Sequence, residues 1–363
     1  MDLVIANTRK LKMEFLRFYK SQYIDNPLAR DGMSGLLKNI LFEKSVMSKS
    51  IDIIPLLAVE DRKIYCVCVL AHAKRMPDII QISFFESSEY NKEAFSLLYK
   101  QALEMAKEYH ATKISASLNI HVNYGLGFLA DKYEEMQSFG MPYNKEFVHK
   151  YFEDYDFDEI DLVTFKKNTE DMDSPISPFI KKRLAKTYTV RELDIKNLKA
   201  ESMLYSELNN NAFSDHVFYY KRDPDEDLEL FKNFKPLLKP ENLLFVEKEG
   251  KAVGFMLWYP DFNELTKPGE TVGFKTFIRY KLLNRKIDKF KIVEIGVIKA
   301  EQGLGGILAL FDYCYGKTNN KFKSFESSWI LDNNIKSRGF GDKWSDGIAK
   351  TYKAYIKDIK DEY

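Results

Sequence analysis

Residues 292–308, IVEIGVIKAEQGLGGIL, decide the fold of this chain. An apolar strand runs into a turn rich in glycine, and the turn opens an apolar helix. Glycine lets the backbone bend tightly and approach a ligand without interference from a Cβ atom. The helix start adds unpaired N–H groups and the positive end of the helix dipole. The pattern predicts either a site for a diphosphate or close packing of the strand against the helix.

Two common nucleotide-binding loops are absent from this stretch. A Walker A loop would need Gly-Lys-Ser or Gly-Lys-Thr, and a Rossmann loop would need Gly-x-Gly-x-x-Gly. The acidic residue that the Rossmann pattern places about 20 residues further on is missing at 322–325. The turn is therefore typical of neither class.

The order hairpin, strand, helix, strand occurs twice along the chain, which predicts two related α+β domains. These elements are predicted at 55–71, 79–85, 91–110 and 112–117, and again at 243–258, 292–298, 304–315 and 322–329. A further helix is predicted at 5–24. A polar segment with two prolines and a basic run separates the copies, so we place the domains at 1–165 and 187–363, with a linker at 166–186.

The composition excludes several other classes of protein. With 363 residues, 45% of them hydrophobic, the chain can fill more than one core and is not disordered. Its net charge of +1 provides no global field for a polyanion. The longest apolar run, 64–73, is shorter than the ~20 residues of a bilayer span, and the acidic start is unlike a secretion signal. We expect a soluble, cytoplasmic protein that binds no membrane.

The cysteines and histidines predict no metal. Three cysteines without a CxxC pair, and five scattered histidines, are typical of neither a disulfide framework nor a zinc site.

The two copies differ where a ligand would bind. The loop at 86–93 in the first copy has no glycine and three carboxylates, which would repel a diphosphate. We therefore expect the first copy to be a degenerate, supporting one. The second copy has an insertion at 261–291, in which residues 275–291 include seven bases and one acid. This basic run is either a contact for a phosphate or anionic partner, or a solvated face.

The glycine-rich turn resembles that of the GCN5-related N-acetyltransferase (GNAT) superfamily, whose pattern is Gln/Arg-x-x-Gly-x-Gly/Ala. Residues 302–305, QGLG, match this pattern, and Ile307 departs from it. Segments 119–127, 141–144, 157–161, 328–334 and 350–355 are also similar to tandem GNAT-like proteins. The resemblance implies two GNAT-like domains, each a mixed, mostly antiparallel sheet flanked by helices. It also implies acyl-CoA, in the first place acetyl-CoA, as co-substrate. The residues implied to bind it are Val297, Gln302, Gly303, Leu304, Gly305, Gly306 and Asn334.

Glu294 is the candidate general base, because it is the only charged residue within 292–298. A buried carboxylate has a raised affinity for protons, which suits a base. GNAT enzymes often use a glutamate of this strand in that way. The alternative is a structural carboxylate paired with a neighbouring lysine.

The general acid is harder to assign from the sequence. The tyrosine that the family places seven residues after Asn334 is Gly341 here. Tyr352 and Tyr355 are then the candidate acids, unless they serve packing alone. Asn334 could equally cap a helix.

Together these observations predict an acyl-CoA-dependent N-acyltransferase for a small amine or amino-acid-type acceptor, without a nucleic-acid partner. Two alternatives remain open. One is a binding protein of GNAT shape without turnover. The other is a Fem-like transferase with an aminoacyl or carrier-bound acyl donor, for which the basic insertion would suit RNA or a carrier protein.

Overall fold

The computed structural model of the chain describes residues 1–170, 174, 176–360 and 362. The strands are β1 (Asp2–Ile5), β2 (Ile51–Glu60), β3 (Lys63–Ala73), β4 (Ile79–Ser87), β5 (Lys113–Ala116), β6 (Phe128–Leu129), β7 (Asp158–Asn168), β8 (Thr189–Glu192), β9 (Leu243–Lys248), β10 (Lys251–Pro260), β11 (Lys289–Val297), β12 (Ser324–Ser327), β13 (Ile330–Leu331) and β14 (Gly347–Asp358). The α-helices are α1 (Arg9–Ser21), α2 (Ser34–Leu41), α3 (Lys92–Tyr109), α4 (Val148–Glu153), α5 (Pro178–Leu184), α6 (Leu198–Ala212), α7 (Pro224–Phe234), α8 (Phe274–Phe277), α9 (Gly306–Thr318) and α10 (Ile335–Trp344).

One mixed sheet runs through the described residues, in the order β1-β2-β3-β4-β5-β14-β7-β12-β11-β10-β9-β8. Neighbouring strands are antiparallel except at β4–β5 and β11–β12, which are parallel. Each parallel pair is joined by a helix, α3 in the first copy and α9 in the second. Helices cover both faces of the sheet, so the predicted α+β class and the repeated order of elements are confirmed.

Helix α3 shows how the sequence specifies these elements. The Asn91 side chain accepts a hydrogen bond from the Ala94 amide and so caps the helix. Apolar side chains three and four residues apart, among them Phe95, Leu98 and Ala102, are fully buried against the sheet. α3 therefore covers one of the two apolar cores of the first copy. The second copy likewise has two cores, one on each face of its sheet.

The predicted helix at 5–24 begins later than expected. Residues 2–5 form β1, which pairs antiparallel with β2. The Thr8 side chain then accepts a hydrogen bond from the Leu11 amide and starts α1 at Arg9. The alternation of the short run at 2–5 was too brief to distinguish a strand from a helix turn.

The last strands of the two copies are exchanged. β14, at the end of the chain, pairs with β5 of the first copy, whereas β7 of the first copy pairs with β12 of the second. β14 and β7 also pair with each other over most of their length. The predicted linker contains the end of β7 and all of α5, while its residues 171–173 and 175 lie outside the described residues. The two copies are therefore consecutive in sequence but interlocked in space.

Candidate functional site

A gap opens in the sheet of the second copy where β11 and β12 separate. The two strands pair from Lys289 opposite Ser324 to Ile292 opposite Ser327. The Ser328 amide still donates to the Ile292 carbonyl at 2.8 Å, after which the chain turns away into β13. β11 continues to Val297 with β10 as its strand partner. The gap is thus bordered by the part of β11 that carries Glu294.

A β-bulge in β11 turns Glu294 towards α6. Leu257 on β10 lies opposite Glu294 and Trp258 lies opposite Ile292, so Val293 is the extra residue. In a regular strand, Glu294 would share the face of Ile292, which packs on the α9 side. Because of the bulge, Glu294 instead shares the α6 side with Val293. The Tyr205 hydroxyl of α6 donates a hydrogen bond to its carboxylate.

Glu294 belongs to a cluster of three charged side chains. Buried Arg222 lies 3.1 Å from an oxygen of Asp227 and 3.6 Å from an oxygen of Glu294. Burial raises the pKa of Asp227 to about 6, against the opposing effect of Arg222. The Glu294 side chain is 18% exposed, whereas that of Arg222 is 2% exposed. The cluster has one positive and two negative side chains, and Glu294 is the member that solvent reaches.

A cavity of about 750 Å³ adjoins this cluster. Its wall is one face of α6 and the segment that leads to α7. Ser206 and Arg222 line it and also contact Asp227, so Arg222 is the member of the charged cluster that borders the cavity. The other lining residues are mainly polar: Met203, Glu207, Asn210, Asn211, Ser214, Tyr219, Lys221 and Pro224. A cavity of this size and polarity suits a small polar molecule.

The glycine loop, residues 302–306, follows the C-terminal end of β11 and leads into α9. Gly303 has φ +79° and Gly305 has φ +107°, backbone conformations that favour glycine. Gly305 is the N-cap of α9 and offers no side chain to the amides of the first turn. These amides have no acceptor within the helix, so they are available to an anion. Gly306 packs against Val297, because a Cβ there would lie 3.3 Å from the valine side chain.

Two neighbouring helices approach the glycine loop, which the sequence did not indicate. From α10, the Lys336 ammonium donates to the Gln302 side chain at 3.4 Å. From α5, Leu184 packs so closely that a Cβ at Gly305 would lie 2.7 Å from it. Lys336 brings a positive charge to the loop, and α5 turns part of the predicted linker into a wall of the site. The basic run at 181–183 was a signal that could have drawn attention to α5.

Leu304 and Asn334 were also predicted to bind acyl-CoA. Leu304 is an exposed residue of the glycine loop. The Asn334 side chain accepts a hydrogen bond from the Ser337 amide at 3.2 Å, so Asn334 caps α10. It lies at the start of α10, two residues before Lys336.

The structure does not bring the two tyrosines to Glu294. Tyr352 and Tyr355 are fully buried on β14 in the cores of the first copy. The Tyr355 hydroxyl is hydrogen-bonded to His149 at 2.6 Å. β7 and β12 lie between β14 and β11, which places the strands roughly 14 Å apart. Their surroundings are those of packing residues.

The corresponding loop of the first copy is closed by its own side chains. Glu86 is buried, accepts hydrogen bonds from the Tyr23 hydroxyl and the Ser87 amide, and has a pKa raised by burial to about 7. The Lys145 ammonium donates to the carbonyls of Ser87 and Ser88. The amides of Ser87, Asn91 and Ala94 in this region already have acceptors, namely Glu86, Tyr151 and the Asn91 side chain.

Comparisons with known proteins agree with this architecture. No model of a known protein family matches the chain. Bacterial ceramide synthase of Caulobacter vibrioides is 21% identical over 283 residues, which are 75% of this chain and 74% of that protein. A tandem GNAT protein from the clavulanic acid biosynthesis pathway superimposes with a TM-score of 0.54 at 11% identity, over 98% of both chains. A probable N-acyltransferase of unknown function from Enterococcus faecalis gives a TM-score of 0.56 at 9% identity, over 99% of this chain and 73% of that one.

The chain therefore has the tandem GNAT fold that the sequence predicted. Among the described residues, no helix is both long and apolar enough to cross a membrane. Nor does that part of the chain group three or more His, Cys, Asp or Glu side chains as ligands for a metal ion.

Proposed function

We propose that the protein is an N-acyltransferase that uses an acyl-CoA thioester and an amine. The observation that carries the proposal is the geometry of β11. The bulge in this strand turns Glu294 towards α6, and the strand leads through the glycine loop to the start of α9, where no side chain caps the helix. One strand thus connects a carboxylate beside a polar cavity to a loop suited to a diphosphate. The tandem GNAT fold and the distant relation to a ceramide synthase support this assignment. The reaction would take place in the cytoplasm, where acyl-CoA is available.

In the proposed reaction Glu294 first takes one proton of the ammonium group, directly or through water. The amine nitrogen then attacks the thioester carbonyl, so that a C–N bond forms and the C–S bond breaks. The second proton that the nitrogen loses passes through water to the released thiolate. Arg222 and Tyr205 orient the Glu294 carboxylate. The two carboxylates beside Arg222 give the cluster a net negative charge, which favours an ammonium group next to Glu294. Gln302, Gly303, Leu304, Gly305 and Gly306, with Val297 beneath them and Lys336 and Asn334 alongside, would hold the CoA diphosphate end.

A second cavity supports a donor with a chain longer than acetyl. It measures about 260 Å³ and lies between α9 and α10, lined mostly by apolar side chains such as Phe311 and Phe325. Ile292, where β11 and β12 separate, is one of its lining residues. An acyl chain entering from the gap would find apolar contacts there. A ceramide is the amide of a long-chain amine, so the acceptor is either a small amine or an amine with its own chain.

The test is release of free thiol from acetyl-CoA and from longer acyl-CoAs, with small amines and long-chain amines as acceptors. Glu294→Gln should keep the affinity for acyl-CoA and lower turnover by about 100- to 10,000-fold, with partial recovery at alkaline pH as the amine arrives deprotonated. Glu201→Gln, which changes another largely buried carboxylate of the second copy, is the matched control. Binding of acyl-CoA without thiol release for any amine would favour the binding protein. Wild-type turnover by Glu294→Gln would exclude Glu294 as the base.

A further inference from the structure

The insertion between β10 and β11 exposes apolar and basic side chains together. We call residues 274–286 the basic arm; it consists of α8, a turn of π-helix at Ile278–Leu282 and the residues that follow. Phe274 is 76% exposed, Leu282 67% and Leu283 59%. The arm contains the bases Lys275, Arg279, Lys281, Arg285 and Lys286 and no acid. Large apolar side chains at such exposure need an explanation.

The basic arm is anchored to the body of the protein along its inner side. Thr276 is fully buried, and Phe277 and Tyr280 pack against the core on the α6 side. The Arg279 guanidinium donates to the Leu265 carbonyl at 2.6 Å and pairs with Glu270. The arm is therefore a fixed element, and its exposed side chains do not result from fraying.

The outer side of the basic arm carries both apolar and basic side chains. Phe274, Lys281 and Leu282 are exposed, whereas Thr276 is buried and Tyr280 is partly buried. The described residues offer Lys281, Arg285 and Lys286 no ion pair. Burial and nearby Lys239 lower the pKa of Lys281. Positive charge is thus concentrated on this side, and nearby Glu241 offsets part of that of Lys281.

We propose that the basic arm docks the protein on the surface of an anionic lipid bilayer. Phe274, Leu282 and Leu283 would enter the headgroup region, and the unpaired bases would contact anionic headgroups. Aromatic and leucine side chains beside lysine and arginine are the composition of helices that lie in a membrane interface. Nucleic acid would account for the bases but not for the exposed leucines, and a second copy of this near-neutral chain would not account for the bases. The inference goes beyond the proposed acyl transfer and replaces the expectation of no membrane partner.

The test is sedimentation of the 363-residue chain with vesicles of phosphatidylcholine, with or without about one third phosphatidylglycerol. Binding should require the anionic lipid and weaken as salt is added. Arg285→Glu/Lys286→Glu should lower the partition coefficient about tenfold or more. Lys100→Glu/Lys107→Glu on α3 makes the same change of charge at exposed lysines and should leave binding unchanged.

A second pair of variants tests the apolar part of the proposal. Phe274→Ser should weaken vesicle binding severalfold, whereas Phe179→Ser, at a phenylalanine of the same 76% exposure on α5, should not. Equal binding to vesicles without anionic lipid would overturn the proposal, as would equal losses in test and control variants. So would RNA binding that the Phe274→Ser variant retains, or a dimer in solution that this variant dissociates. Neither donor nor acceptor is present, so the outcome is independent of acyl transfer.

Discussion

Gly303 is the position in the glycine loop at which charge can be changed with least disturbance. A Cβ there meets no atom within 4 Å, and asparagine and aspartate both tolerate a left-handed backbone. Gly305 is unsuitable, because a Cβ there would lie 2.7 Å from Leu184. Gly303→Asp should therefore lower the affinity for acyl-CoA about tenfold or more relative to Gly303→Asn, since only the aspartate repels a diphosphate. Calorimetric titration of both variants measures this ratio. A ratio near one would mean that the loop is structural only.

Glu86 predicts a pH dependence of stability in the first copy. Burial raises its pKa from the ordinary 4.5 to about 7, so the native state keeps a proton that the unfolded chain releases. The stabilisation from this group is complete below pH 4.5 and is lost as the pH rises to about 7. The difference corresponds to about 3 kcal/mol.

Glu86→Gln, which stays neutral, should accordingly have a free energy of unfolding that changes less between about pH 5 and pH 8 than that of the wild type. Urea denaturation at the two pH values measures this change. Glu89→Gln, at an exposed neighbour, should keep the wild-type profile. A wild-type profile in Glu86→Gln would show that Glu86 is ionised throughout.

At this residue scale the sequence located Glu294 and the glycine loop correctly on one strand–turn–helix unit. It did not indicate Arg222 and Asp227, which are 72 and 67 residues earlier in the chain. Their meeting with Glu294 depends on how α6 and α7 pack against β11, and no local pattern encodes that. The choice of Tyr352 and Tyr355 as acids stays without support, because strand order cannot be derived from one sequence.

At the scale of elements, the close approach of α6 to β11 depends on a single missing side chain. A Cβ at Gly296 would lie 3.0 Å from Ala212 Cβ and 3.3 Å from the Phe255 ring. Gly296→Ala should therefore push α6 outward and lower the free energy of unfolding by about 1–3 kcal/mol. Gly316 within α9 is exposed and meets nothing within 4 Å. Gly316→Ala should raise stability by about 0.5–1 kcal/mol. Denaturant titration of the two variants measures both changes in the free energy of unfolding. If both variants were destabilised, the close approach of α6 to Gly296 would not be the cause.

Element periodicity predicted α3, α9 and the β2–β3 and β9–β10 hairpins, because each buries one regular face. It could not predict the bulge at Val293. A bulge inserts one residue without changing the apolar character of a strand, so 292–297 looks the same with or without it. Yet the bulge decides which face of the sheet receives Glu294. The part of the site that matters most for chemistry is thus the part that periodicity is least able to show.

At the scale of the whole molecule, the two copies share a polar interior. Lys291 of β11 is buried, and burial lowers its pKa to about 8. Glu326 of β12 accepts hydrogen bonds from Ser138 and Thr164, and the Lys350 ammonium of β14 donates to the Met136 carbonyl. Glu326 and Lys350 of the second copy therefore have hydrogen-bond partners in the first, whereas the buried Lys291 ammonium has none among the described residues. These hydrogen bonds specify one arrangement of the two copies, because shifting one copy against the other would leave further buried polar groups unpaired.

The strand exchange makes the first copy depend on the end of the chain. A chain ending at Asp346 lacks β14, and with it the fully buried side chains of Tyr352 and Tyr355. Loss of each large aromatic side chain from a core costs about 3–5 kcal/mol, which together approach the stability of a whole domain. Hydrogen exchange of the truncated chain should therefore show lost protection in β5, more than 200 residues away in sequence.

A chain ending at Lys360, which keeps all of β14, is the control for this truncation and should retain the protection of β5. A peptide of residues 347–360 added to the truncated chain should restore it, since the ladder with β5 and β7 needs no covalent link to α10. Protection of β5 in the truncated chain without peptide would show that the first copy closes its own sheet. The two copies would then be separable domains, and the exchanged strand would only join them.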